Sequence, residues 1–390
     1  MKKSDFTSKS PGQIIWIPSG YLAYLPNPLP PELIWSDLLL SALSKADTKL
    51  AALEQVGKSI PVSRLAVRPF IRKEAVVSSQ IEGTHTSFEG LLSYEAGQRR
   101  TDSDLADAQE VQNYVRALDY GLERLAALPL SARLIREIHA RLMEGVRGEY
   151  MTPGEFRRSQ NWIGRPGATL ETARYVPPPV PEMKIALGKL ENFIHQDQSL
   201  PPLVRIGLIH YQFEAIHPFL DGNGRIGRLL ISLLLVNWRL LSIPLLNLSA
   251  FLEANRQAYY DNLMAVTQKG AWEAWLIYFL SGIAQQAEDT TLRIQRLADL
   301  RAAYQHRFAG ERTRQKLADL VDYLISTPIT TIQQAQESLN SGSYTTIQRQ
   351  IEKLEVLGIV REITGYQRNR LYQADEILQI LLERNAGEQP

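Results

Sequence analysis

Apolar residues recur every three or four positions along most of this chain. Leu39, Leu43, Ala46, Leu50 and Leu53 repeat at such intervals, which puts them on one face of an amphipathic helix beginning after Pro31. Patterns of the same period predict helices at about 65–81, 104–126, 131–145, 181–196, 200–216, 225–239, 250–268 and 271–297, separated by loops with Gly, Pro or Ser stops. Residues 11–31 break the rhythm. Their proline density (IPSGYLAYLPNPLPP) predicts an extended strap over the surface rather than a core element. Strand-like alternation is confined to EFRRSQNWIGRPGATLETARYVPP, residues 155–178, where two arms flank a Gly/Pro turn and predict a small hairpin. No internal repeat is present.

Beyond residue 300 the pattern changes. TRQKLADLVDYLIST, TIQQAQESLN and SYTTIQRQIEKLEVLGI predict three short helices, and IVREITGYQRNRLYQ predicts two alternating arms around Gly365. Three helices followed by a hairpin form the pattern of a winged helix-turn-helix, placed at 305–385. The fold expected is therefore mainly α, a helical bundle with a small β-hairpin flap and a carboxy-terminal winged helix-turn-helix domain. Thr345, Thr346, Gln348, Arg349 and Lys353 fall on the presumed recognition helix, with Arg368 and Arg370 on the wing, so a DNA-binding regulator is the alternative reading. Residues 311–372 carry eight basic against seven acidic side chains, which does not favour a strong phosphate-driven grip; protein docking is weighed evenly with DNA.

Composition narrows the chemistry. The 390 residues hold 43 basic and 42 acidic side chains, so no global field advertises nucleic acid or membrane. There is no cysteine, which excludes disulfides, cysteine-bound zinc, iron–sulfur clusters and a thiol nucleophile. His85, His139, His195, His210, His217 and His306 show no HExxH-like spacing, which speaks against zinc. MKKSDFTSKSPGQ has no apolar core behind its lysines, and LLISLLLVNW is too short to span a bilayer. A cytoplasmic protein without membrane contact is expected.

The densest polar chemistry lies in HPFLDGNGRIGRLL, residues 217–230, between two apolar helical patterns. DGNG directly precedes a helix amino terminus, where backbone N–H groups lack intrahelical partners and the dipole adds positive charge. Glycines allow tight turning and close approach, so the loop makes an anion-binding nest. Arg225 and Arg228, three apart, present two forked cations at that same end, which suits a polyphosphate. Asp221 supplies a carboxylate where a phosphate-bridging magnesium ion would want one, and His217 supplies a general base for neutral pH. The set fits phosphoryl or nucleotidyl transfer.

His217-Pro218-Phe219-Leu220-Asp221-Gly222-Asn223-Gly224-Arg225-Ile226-Gly227-Arg228 resembles, without a departure, the HxFx(D/E)GNGRxxR motif of the Fic-domain protein adenylyltransferase family. The resemblance runs from about residue 70 to 290. It implies an enzyme that transfers AMP from ATP, with Mg²⁺, to a hydroxyl of a target protein. By resemblance His217 deprotonates the hydroxyl, Asp221 holds Mg²⁺, and Asn223 with the Gly222 and Gly224 amides binds the α-phosphate. Arg225 and Arg228 take the β- and γ-phosphates, Ile226 and Gly227 complete the nucleotide loop, and Phe219 is buried. The 155–178 hairpin resembles the family's flap, with Thr172, Ala173, Arg174 and Tyr175 against ATP and an outer edge that pairs with the target. Tyr260 is assigned to the adenine side; Thr267 stands where some relatives have an adenine-contacting asparagine. Self-modification and a homodimer are further implications.

A second stretch, SSQIEGT, fits the (S/T)xxxE(G/N) inhibitory motif of the same family at Ser78, Glu82 and Gly83. Gly83 is a usual helix stop, which leaves Glu82 at the negative end of a dipole. By resemblance Glu82 pairs with Arg228 and misplaces ATP. The resulting domain expectation is an amino-terminal segment, 1–95, with its inhibitory helix at about 65–82, a catalytic domain at 96–300, and the winged helix.

Overall fold

The computed structural model describes residues 1–98, 102–146, 148, 150–165, 167–196, 199–340 and 342–383. The chain opens with β1 (Gly12–Ile17) and β2 (Tyr21–Pro26), followed by α1 (Asp37–Ser59), α2 (Pro61–Ile81), α3 (Phe88–Glu95), α4 (Asp102–Arg124), α5 (Ala132–Leu142) and α6 (Val180–Gln196). Next come α7 (Pro202–Ile216), α8 (Asn223–Asn237), α9 (Leu248–Ala254), α10 (Arg256–Lys269) and α11 (Trp272–Arg307). The last part holds α12 (Arg314–Ser326), β3 (Ile329–Thr330), α13 (Ile332–Leu339), α14 (Tyr344–Val356), β4 (Arg361–Glu362), β5 (Tyr372–Gln373) and α15 (Asp375–Leu382). The protein is thus mainly helical, with few strands.

Two compact units form. The first comprises Met1–Lys49, Asn113–Leu240 and Leu248–Gln285. At its centre α7 and α8 pack together, and both are buried on nearly every face, as helices with no polar stripe must be. α6 and β2 pack on α7, and α5 packs on α8. Trp275 closes this core, its indole N–H donating to the Gly207 carbonyl at 3.0 Å.

The second unit comprises Leu50–Gln112, Leu241–Asn247 and Gln286–Pro390. α12 packs along α2, burying Leu317, Leu320, Val321 and Leu324, and α14 packs on α12 and α13. Arg72 of α2 pairs with Glu95 at 2.7 Å, and Lys73 donates to the Leu381 carbonyl at 3.0 Å. β3, β5 and β4 form an antiparallel sheet in that order, with Gln373 opposite both Ile329 and Arg361. Thr331 and Gln334 cap α13 reciprocally, and Ser343 caps α14.

Three sequence expectations need correction. The strap at 11–31 is a hairpin, with Gly12 opposite Pro26 and Ile17 opposite Tyr21; Ala23 and Tyr24 are fully buried. Its prolines sit at strand ends and in the turn, so they do not interrupt the ladder. The two arms expected at 155–178 meet in an antiparallel bridge, Ile163 to Tyr175, with N–H···O distances of 2.8 and 3.0 Å, consistent with a small hairpin. Side chains take over the carbonyls there: Gln160 donates to Pro177 at 2.9 Å and Arg157 to Pro178. Pro166, in the expected turn, lies outside the described residues, as do the last positions of the 305–385 region. The 250–268 helix is two helices broken at Asn255, and α11 runs ten residues beyond the end its periodicity predicts. α3, α15 and strand β3 were not anticipated: each is shorter than the window in which a period shows.

Candidate active site

The polar loop joins α7 to α8 inside the first unit. His217 ends α7 in the left-handed region (φ 50°, ψ 61°), which turns the chain sharply and leaves the imidazole half-buried at the helix end. Its Nδ1 lies 3.3 Å from the Glu214 carbonyl oxygen, which can only accept. That bond puts the proton of the neutral ring on Nδ1 and the lone pair on Nε2, the arrangement a general base requires.

Residues 219–223 are closed by Asn223. Its Oδ1 accepts from the Phe219 N–H and its Nδ2 donates to the Phe219 carbonyl, both at 2.9 Å. Asn223 therefore shapes the loop through its side chain and faces the helix entrance through its main chain. Gly222 sits at the N-cap with φ 77°, without a side chain to cap the first turn. The first helical bond runs from Ile226 N–H to Gly222 O at 3.0 Å, so the amides of residues 223–225 lie ahead of the ladder. A Cβ on Gly222 would stand 3.0 Å from Met143 Sδ and 3.4 Å from His139 Nε2.

The Asp221 carboxylate, 45% exposed, accepts from the Gly222 N–H at 2.6 Å and lies 3.8 Å from the Arg225 guanidinium. Gly148 backs it, since a Cβ there would be 2.6 Å from Oδ2. Among the described residues no group of three His, Cys, Asp or Glu could hold a metal ion. A single open carboxylate fits Mg²⁺ that is otherwise held by phosphate oxygens and water. Arg225 and Arg228 are both buried, Arg225 reaching Met143 Sδ at 3.5 Å.

Several supporting residues gave no sequence signal. His139 stacks on Phe219 with centroids 3.8 Å apart and rings 3° from parallel. Its Nδ1 accepts from Gly154 N–H at 2.9 Å, so Nε2 donates to the Asp221 carbonyl at 3.1 Å. Burial is the main cause that pushes its pKa down to about 4. Arg157, fully buried, donates to the carbonyls of His217 at 3.0 Å, Ser159 at 3.3 Å and Pro178. Burial lowers its pKa to about 10, still cationic at neutral pH. Asn161 donates to Phe219 O at 2.7 Å. These contacts join distant segments, and only their meeting point reveals them.

The expected flap residues alternate. Thr172 and Arg174 are exposed, whereas Ala173 and Tyr175 face inward. The Tyr175 hydroxyl donates to the Ala215 carbonyl at 2.6 Å, anchoring the flap base two residues before His217. Arg174 pairs with Asp261 of α10 at 3.0 Å, beside half-buried Tyr260. Ile226 is core and Gly227 packs against Glu214. Thr267 is buried and bonded to Tyr211 at 3.0 Å, so its hydroxyl serves the core. In the second unit, Ser78 is buried near the end of α2, exposed Glu82 is its C-cap, and Gly83 follows at φ 100°.

Residues 40–123 match the Fic/DOC family N-terminal region and residues 129–235 match the Fic/DOC family. The protein adenylyltransferase Fic of Drosophila willistoni is 27% identical over 201 residues, which cover 50% of this chain and 38% of that protein. This chain thus spans well under half the length of that relative. A crystal structure of a Fic family protein from Desulfovibrio desulfuricans shares the fold at 18% identity and a TM-score of 0.58, covering 89% of this chain and 98% of the other. A Fic domain-containing signaling protein from Bacteroides thetaiotaomicron does so at 18% identity and 0.53, covering 66% and 97%.

Proposed function

We propose that this chain is a protein adenylyltransferase, moving AMP from ATP to a Ser, Thr or Tyr hydroxyl of a target protein. The carrying observation is the Nδ1 bond of His217 to the Glu214 carbonyl, which makes Nε2 the unprotonated nitrogen of the neutral ring, in the loop that leads to an uncapped, doubly cationic helix start. The main-chain amides of residues 223–225 would take the α-phosphate, and Arg225 and Arg228 the phosphates beyond. Asp221 would hold Mg²⁺, which when bound offsets phosphate charge. His217 Nε2 takes the proton of the target hydroxyl as its oxygen bonds the α-phosphorus. The bond from the α-phosphorus to the bridging oxygen breaks, pyrophosphate leaves, and the proton passes from the imidazole to solvent.

Glu82 is read as a brake on Arg228. Supporting it are the Ser78–Gly83 motif and the placement of Glu82 at a helix C-cap, where a carboxylate opposes the dipole. The carboxy-terminal elements are read as a winged helix that docks protein or DNA.

Intact-mass spectrometry after incubation of Glu82→Gly with Mg-ATP tests both readings. The expected result is added mass of one AMP on the chain or on an offered protein, abolished by a second change, His217→Ala. Labelling that persists in the double variant would remove His217 from the chemistry.

A further inference from the structure

One buried histidine plays no part in the chemistry above. His210 lies on α7, 1% exposed, with Tyr259, Trp275 and Phe279 at ring-centroid distances of 5.9, 6.0 and 6.4 Å. Its Nδ1 is 3.1 Å from the Gly227 carbonyl oxygen and its Nε2 is 2.8 Å from the Tyr259 hydroxyl. A carbonyl accepts only, so Nδ1 carries the proton and Nε2 accepts the Tyr259 O–H. Donation thus runs one way, from Tyr259 through the imidazole to Gly227. Burial, with the positive charge of Arg228 adding to it, pushes the pKa of His210 down to about 3, so this order holds across the physiological range.

A polar chain inside an aromatic core is costly unless every member is bonded. What it adds is position, and its two ends show whose. Gly227 lies between Arg225 and Arg228, and its Cα is so close to Glu214 that a Cβ would be 2.3 Å from Oε1. Tyr259 is on α10 beside Tyr260, their rings 5.1 Å apart. The next residue of α7, Tyr211, bonds Thr267 at 3.0 Å. α7 therefore grips α10 at two points about two turns apart.

We propose that Tyr259, His210 and the Gly227 carbonyl form a strut that fixes α10, read as the base-side helix through Tyr260, relative to the arginines of α8, so that a nucleotide is gauged at both ends at once. This rests on the nucleotide reading of the site. His210 and Tyr259 touch no ligand; they are positioning residues. Without the Tyr259 hydroxyl the α8 cations keep their hold on a triphosphate. α10 loses its buried polar link to His210 of α7, and the base contributes less.

The test is calorimetric binding of Mg-ATP and of magnesium tripolyphosphate to the full chain carrying Glu82→Gly. Adding Tyr259→Phe, which removes one oxygen and keeps the ring, should weaken ATP roughly five- to tenfold and leave tripolyphosphate within about twofold. His210→Phe should reproduce that split. A merely structural role would move both ligands together or neither, and either result overturns the strut while leaving the nucleotide site standing. A Glu82→Gly parent that binds tripolyphosphate but no ATP, or binds neither, refutes the nucleotide reading and the strut with it. Independently of any variant of the trio, ¹⁵N shifts should show the Nδ1-protonated tautomer of His210; the opposite tautomer breaks the donor order and sinks the proposal.

Discussion

At the residue scale the site depends on imidazoles that the structure holds in one protonation state. His139 and His210 have folded-state pKa values pushed from 6.5 down to about 4 and about 3, chiefly by burial. The unfolded chain therefore binds protons as pH falls below about 6.5 while the folded chain does not. Stability that is present at neutral pH is lost as pH drops from there towards the folded values, by on the order of 3 kcal/mol for His139 alone. Urea midpoints at pH 7 and pH 5 should show this loss. His139→Phe, which keeps the stack on Phe219, should flatten the slope between the two pH values; an unchanged slope would mean that His139 is not held neutral. His217 stood out in the sequence because it belongs to a contiguous motif. His139 and His210 look like core positions of helices until their partners across space are known.

At the element scale the decisive feature is the start of α8. Gly222 combines a positive φ with a Cβ position pressed between Met143 and His139, whereas Gly97, also at positive φ, faces open space. Gly222→Ala and Gly97→Ala should both cost about 1 kcal/mol of backbone strain in chemical denaturation. Only Gly222→Ala should also weaken ATP binding in the Glu82→Gly chain, because only there must the loop shift to make room. Equal ATP affinities in the two variants would show that the Gly222 turn does not shape the anion site. The motif announced this turn through its DGNG spelling. The flap was legible only in part: its alternating residues predicted the hairpin arms that meet at Ile163 and Tyr175, but Pro177, Pro178 and Pro179 offer no N–H beyond that bridge, and Arg157 and Gln160 supply side-chain donors there.

At the scale of the whole molecule, the carboxy-terminal helices belong to the same compact unit as α2, which carries Ser78 and Glu82 next to its end. Removing residues 311–383 would uncover the face of α2 on which Leu317, Leu320, Val321 and Leu324 are buried. Amide exchange along α2 should then speed up by about tenfold or more. Protection that stayed unchanged would show that α12 does not support this helix. No helix among the described residues is long and apolar enough to cross a membrane.

Period and motif were local properties, and the chain determined them by itself. The helices α1, α2 and α4 to α8 follow from apolar spacing, and the loop chemistry follows from His217 through Arg228 as written. Three-dimensional packing decided what spacing cannot encode. It buried Arg157 against three carbonyls, turned Tyr175 inward to hold the flap, and threaded one proton-ordered chain from Tyr259 to Gly227. Hydrogen bonds between segments dozens of residues apart leave no periodic trace, because their partners are neighbours only after the core has closed.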